Sequence, residues 1–129
     1  MAIRIVQLGT PRQDHEGTRL GTVRRPPRGV KKEEYARKNF FDLWFPDLAP
    51  SASLLTWARA QPLTDARWRA FARRYRREMA QPVPRRLISL LAALSTGSNF
   101  SVGCFCADES RCHRSLLRAL LQDAGATLA

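Results

Sequence analysis

The sequence predicts a small single α/β domain, residues 1–129, in which a mainly parallel sheet is flanked by helices. Three observations carry that expectation: two short apolar runs near the start, three capped amphipathic segments in the middle, and a late apolar run that passes directly into a helical pattern. Strands separated by helical stretches pair in parallel, and the helices cover the sheet.

Residues 3–8 and 18–23 read as the first two strands, with a Gly-, Pro- and Asp-bearing loop at 9–17 between them. Residues 24–34 form a basic Pro/Gly turn and then a charged segment that starts a short helix. Phe40, Phe41, Leu43, Trp44 and Phe45 make an apolar patch, ended by Pro46, that is assigned to the core. Ser51 caps a helix running to about residue 60 that buries Leu54, Leu55 and Trp57. Thr64 caps the next, to about residue 80, with Trp68, Phe71, Ala72, Tyr75 and Met79 on one face. Arg67, Arg69, Arg73, Arg74, Arg76 and Arg77 cover its other faces; such a run is ordinarily solvated, and nucleic-acid contact is its less favoured use. Pro84 opens a third helix that buries Leu87, Ile88, Leu90, Leu91 and Leu94 and stops at Gly97.

The run from Asn99 to Gly103 reads as a strand. If it continues, Phe100, Val102, Cys104 and Cys106 share one face. Phe100, Val102 and Phe105 are apolar on both faces, which suits a central position. Leu116, Leu117, Leu120 and Leu121 then recur at helical spacing before Gly125, with Ser110 as the expected cap. Cys112, His113 and Arg114 fall in the first helical turn, where free amide hydrogens and the dipole favour anions and thiolates. Junctions of this kind, at the carboxyl edge of a parallel sheet, are where α/β proteins keep ligand sites. The basic turn at Arg25, Arg28 and Gly29 follows the second strand and is expected at the same edge.

All three cysteines lie within the nine residues 104–112, beside one of only two histidines. Three chemistries fit. In the preferred one, Cys106 or Cys112 is a thiolate favoured by His113, Arg111, Arg114 and the helix start. In another the thiols are structural and the histidine caps or hydrogen-bonds. In the third, Cys104, Cys106, Cys112 and His113 ligate a metal. Adjacent residues at a helix start splay apart, so Cys112 and His113 do not suit joint ligation, and no bound metal is expected. A phosphatase-type phosphate cradle does not match: neither Arg111 nor Arg114 falls at the required spacing, residues 107–111 hold no glycine, and Asp108 and Glu109 repel phosphate.

Residues 103–106 with Cys112-His113-Arg114-Ser115 resemble the Cys-His-Arg signature of bacterial proteins grouped as domain of unknown function 488. The stretches Arg25-Pro26-Pro27-Arg28-Gly29, Asp47-Leu48-Ala49-Pro50-Ser51 and Trp68 to Tyr75 resemble the YeaO-like branch, in which a Pro-Arg-Gly turn, an Ala-Pro-Ser turn and an arginine-rich helix follow in this order. The resemblance spans most of the chain and implies no established reaction. Pro26 stands where that branch leads one to expect tryptophan, and the loop from Cys106 to Cys112 is shorter than in many relatives.

Charge and hydropathy set the outer bounds. With 22 Lys+Arg against 11 Asp+Glu, the net charge of +11 favours polyanionic partners, although a basic surface alone proves nothing. No apolar stretch reaches membrane-span length, the start lacks a signal-peptide core, and an odd number of cysteines suits reduced thiols in the cytoplasm. No cofactor and no membrane partner are expected. The leading functional expectation is a cysteine-centred, arginine-lined site for an anionic small molecule or nucleotide. In it Cys106 is the reactive thiol, His113 its base, and Arg114 with Arg28 or Arg25 the anion holders. Cys104 and Cys112 support, and Asp108 or Glu109 orients the cations. The alternative is a non-enzymatic basic module that binds nucleic acid weakly and without sequence choice, with structural cysteines.

Overall fold

A computed structural model describes residues 1–129. Its four strands are β1 (Ile3–Gln7), β2 (Thr18–Gly21), β3 (Leu43–Trp44) and β4 (Phe100–Cys104). They form one fully parallel sheet in the order β1-β4-β2-β3. The helices are α1 (Ala52–Arg59), α2 (Asp65–Met79), α3 (Pro82–Leu94) and α4 (His113–Asp123). Short 3₁₀ turns occupy Lys32–Glu34, Pro46–Leu48 and Glu109–Arg111.

β4 is central, as expected, and all five of its residues are buried, although the strand ends before Phe105 and its second face carries Ser101 and Gly103. It pairs with β1 at Ile5 opposite Val102 and with β2 at Leu20 opposite Val102. Phe100 and Val102 pack with Leu54 and Ala58 of α1, Phe71 and Tyr75 of α2, Ile88 and Leu91 of α3, and Leu117 and Leu121 of α4. The side chains Ser51 and Thr64 accept from the amides of Leu54 and Arg67, each at 3.2 Å, and so begin α1 and α2.

The second face of the sheet is covered by loops. Phe41 lies directly on Gly21, where an added Cβ would come within 2.3 Å of its ring. Its register partner Gly103 is equally tight against Leu8 and Val6, so neither position accepts a side chain. Beside them Arg19 and Glu16, 1% and 2% exposed, form a buried pair with Arg19 Nε 2.7 Å from Glu16 Oε2. Arg19 Nη1 also donates to the carbonyls of Thr10 and Asn39, and Ser101 donates to Glu16.

Several boundaries differ from the sequence expectation. Leu43 and Trp44 are not core but a two-residue edge strand, 52% and 42% exposed. Its pairing rests on the Phe45 amide reaching the Gly21 carbonyl, an interaction that local pattern does not reveal. α3 starts at Pro82, and its Leu90 and Leu94 stand exposed along an apolar groove shared with Leu43. α4 starts later than a Ser110 cap requires, because Asp108 accepts from the Ser110 amide and forms a 3₁₀ turn first. No helix is long and apolar enough to cross a membrane.

Candidate functional site

The carboxyl edge of the sheet opens into a cavity of about 530 Å³. Arg25 and Arg28, from the turn after β2, line it together with Cys104 and Cys106, from the end of β4, and His113, from the start of α4. Arg59 completes the wall from the last turn of α1. Gly29, at φ +72°, takes the left-handed conformation that folds the Pro-Arg-Gly turn back.

Arginines here divide by their partners. Arg24 is fixed by the carbonyls of Pro50, at 2.9 Å from Nε, and Ala49, at 3.0 Å from Nη2, and so locks the Ala-Pro-Ser turn to the rim. Arg114 is buried, and its Nη2 donates to the carbonyl of Cys106 at 2.5 Å. It therefore holds the loop that presents Cys106 and does not line the cavity. Arg25, Arg28 and Arg59 are exposed and make no ion pair with any carboxylate. Asp108 and Glu109 also lie off the cavity: Asp108 accepts from Ser110, and Glu109 pairs with Arg118. They do not orient the cavity arginines.

The strand ends at Cys104, yet the next residues bring the thiols together. The Sγ atoms of Cys104 and Cys106 are 3.7 Å apart, and those of Cys104, Cys106 and Cys112 all lie within 4.8 Å of one another. Cys104 and Cys112 are buried; Cys106 is exposed. Hydrogen bonding from Cys104, then from Cys112, and the charges of Arg114 and Arg59 hold the Cys106 thiol far below the usual range, against its partial burial. The same bond to Cys106, first of all, pushes Cys104 up, so Cys104 keeps its proton. Cys112 is lowered, by Cys104 first and also by His113. Of the two cysteines that line the cavity, Cys106 is thus the one that favours the thiolate.

His113 is oriented by the sheet. Its Nε2 lies 2.7 Å from the Thr22 carbonyl, which can only accept, so Nε2 carries hydrogen. Its Nδ1 faces the Cys112 Sγ at 3.7 Å. The imidazole therefore serves Cys112 directly and Cys106 only through the sulfur cluster. The atoms able to hold a soft metal are the three sulfurs. Arg59, which sequence reasoning missed, carried one signal: Leu55, Thr56 and Arg59 share helical spacing on α1, and all three line the cavity.

The chain is thus a small parallel α/β domain with clustered thiols and arginines free of carboxylate partners at its carboxyl edge. Residues 3–125 match a model of domain of unknown function 488, and the chain belongs to that family. The match is to DUF488-N3a, described as the active DUF488-N3 subclade, with which the YeaO-like resemblance is compatible. No curated protein and no solved structure matches the chain.

Proposed function

We propose that the cavity is a cysteine-centred site for an anionic small molecule or nucleotide. Arg25, Arg28 and Arg59 hold the anion, and Cys106 presents the reactive sulfur. One observation carries this reading: three arginines without carboxylate partners line the same cavity as Cys106. Guanidinium groups left free at a concave surface are suited to phosphate or carboxylate oxygens, which they grip two at a time. Arg114 keeps Cys106 in place through its carbonyl, and His113 manages the proton of Cys112. The description of the subclade as active favours an enzyme over a passive module. Three free thiols suit a reducing compartment, the cytoplasm.

Calorimetric titration of the full chain with pyrophosphate and with AMP tests the reading. Saturable binding to one site is expected, weakened roughly tenfold or more by Arg28→Ala, in line with removal of a charge-assisted bond. Binding indifferent to Arg25→Ala, Arg28→Ala and Arg59→Ala alike would remove the reading.

A further inference from the structure

We propose that Cys104, Cys106 and Cys112 form a three-thiolate site for a thiophilic divalent cation, zinc foremost, whose fourth position opens into the arginine-lined cavity. Tetrahedral zinc with Zn–S near 2.3 Å places its sulfurs roughly 3.8 Å apart. Cys104 and Cys106 already stand 3.7 Å apart, and the third sulfur lies within 4.8 Å of both. Closing the triangle takes an approach of the third sulfur by at most about 1 Å.

The expectation of no metal rests on Cys112 and His113 acting together, and His113 is indeed turned aside to Thr22. Without the imidazole, the three sulfurs of the expected set remain together. Cys104 ends the central strand, Cys112 is the N-cap of α4 with no side-chain capping bond, and Cys106 sits in the loop between them, its carbonyl held by Arg114. Sulfur donors select zinc or another soft cation over magnesium or calcium.

The surroundings suit a metal thiolate. The dication displaces the remaining thiol protons to solvent, that of Cys104 included. Three thiolates and a dication then carry one negative charge together, which Arg59, Arg114 and the start of α4 offset. His113 stays outside the donor set, held by its Nε2–H to the Thr22 carbonyl, and packs beside the Cys112 sulfur at 3.7 Å. Elsewhere in the cavity the arginines repel a bare cation. Cys106 is exposed and lines the cavity with Cys104, so the remaining coordination position faces Arg25 and Arg28. Three protein ligands and one open position is the arrangement of catalytic zinc. That an anion held by these arginines completes the coordination rests on the function proposed above; the metal site itself does not. The loaded protein then offers a Lewis acid where the metal-free protein offers the Cys106 sulfur.

The test uses the reduced full chain, stripped with a chelator and titrated with Co²⁺ and then Zn²⁺. One Co²⁺ per chain is expected, with sulfur-to-cobalt charge transfer and intense tetrahedral d–d bands that Zn²⁺ abolishes. Cys106→Ser, at an exposed position, is expected to weaken Co²⁺ binding by at least roughly tenfold with the circular dichroism unchanged. Cys104→Ser and Cys112→Ser should act alike. Absence of the charge-transfer band at millimolar Co²⁺, or a band that survives Cys106→Ser, would overturn the site. Inorganic phosphate added to the cobalt form separates the two proposals. A shift in the d–d bands that Arg28→Ala removes supports both. Cobalt bands indifferent to phosphate leave the metal standing without its anion. Phosphate binding that depends on Arg28 in a protein that takes no cobalt leaves the anion site standing without the metal.

Discussion

Two groups of arginine surround one sheet and are used in opposite ways. Arg19 is 1% exposed and meets a carboxylate and two carbonyls. Arg25, Arg28 and Arg59 stand in solvent around a cavity and pair with no carboxylate. Burying a guanidinium without partners costs stability, whereas unpaired ones at a concave edge leave their donors for something else. Net charge alone does not distinguish the two. Their partners do.

The sharpest way to break this contrast is to remove one member from each group. Arg19→Ala leaves Glu16 buried without a counter-charge, and urea unfolding should show a loss of about 3–5 kcal/mol. A loss below about 1 kcal/mol would mean that the pair is not structural. Acid should reveal the same pair. Burial raises the Glu16 carboxyl, but hydrogen bonds from Arg19, Ser101 and the Gln13 amide outweigh it and hold it at about 2, below the ordinary 4.5. A depressed folded-state value means stability that is complete above the unfolded value and lost as pH falls from about 4.5 through about 2. Roughly 3 kcal/mol is at stake. Unfolding measured across that interval should be flatter in Glu16→Gln; equal slopes would refute the assignment.

On the cavity side, Arg25→Ala with Arg28→Ala should leave unfolding free energy within about 0.5 kcal/mol of the parent. A large loss there would turn these residues into architecture. The smallest effect is expected from α2. Arg67 and Arg74 are occupied against the Trp57 ring, at 4.0 and 5.1 Å, while Arg73 and Arg77 are exposed. Duplex DNA should bind weakly, with a salt slope that falls by about 0.9 for each phosphate that Arg73→Glu and Arg77→Glu leave unneutralised. Tight, sequence-selective binding at physiological salt would reverse the ranking of the two functions.

Particular residues mark where sequence reading reached and where it stopped. Ser51 and Thr64 were legible as caps because a cap is made within four residues. β4 was legible as a buried strand from Phe100 and Val102, whereas its second face, Ser101 and Gly103, is used for the Glu16 pair and for close packing. The edge strand at Leu43 and Trp44 was not, since two residues have no period and their pairing comes from β2. At the site, the Cys segment and the basic turn were legible as candidates, and Arg25, Arg28 and Cys106 do line one cavity. The directions of Arg114, Asp108 and Glu109 were not. Asp108 and Glu109 are placed by a 3₁₀ turn that begins when Asp108 accepts from the Ser110 amide, a competition between side chain and helix that composition leaves undecided. Arg114 is turned inward to the Cys106 carbonyl.

The position of β4 has a consequence for how the chain is born. β1 and β2 both emerge within the first 21 residues, yet they do not pair with each other. Their common partner is made only at residues 100–104. During synthesis the two early strands wait with open edges while the helices form. The sheet then closes in one late, long-range step of the kind that makes folding slow. The sulfur cluster belongs to that same step, so the three thiols meet only once residues 100–112 have been made.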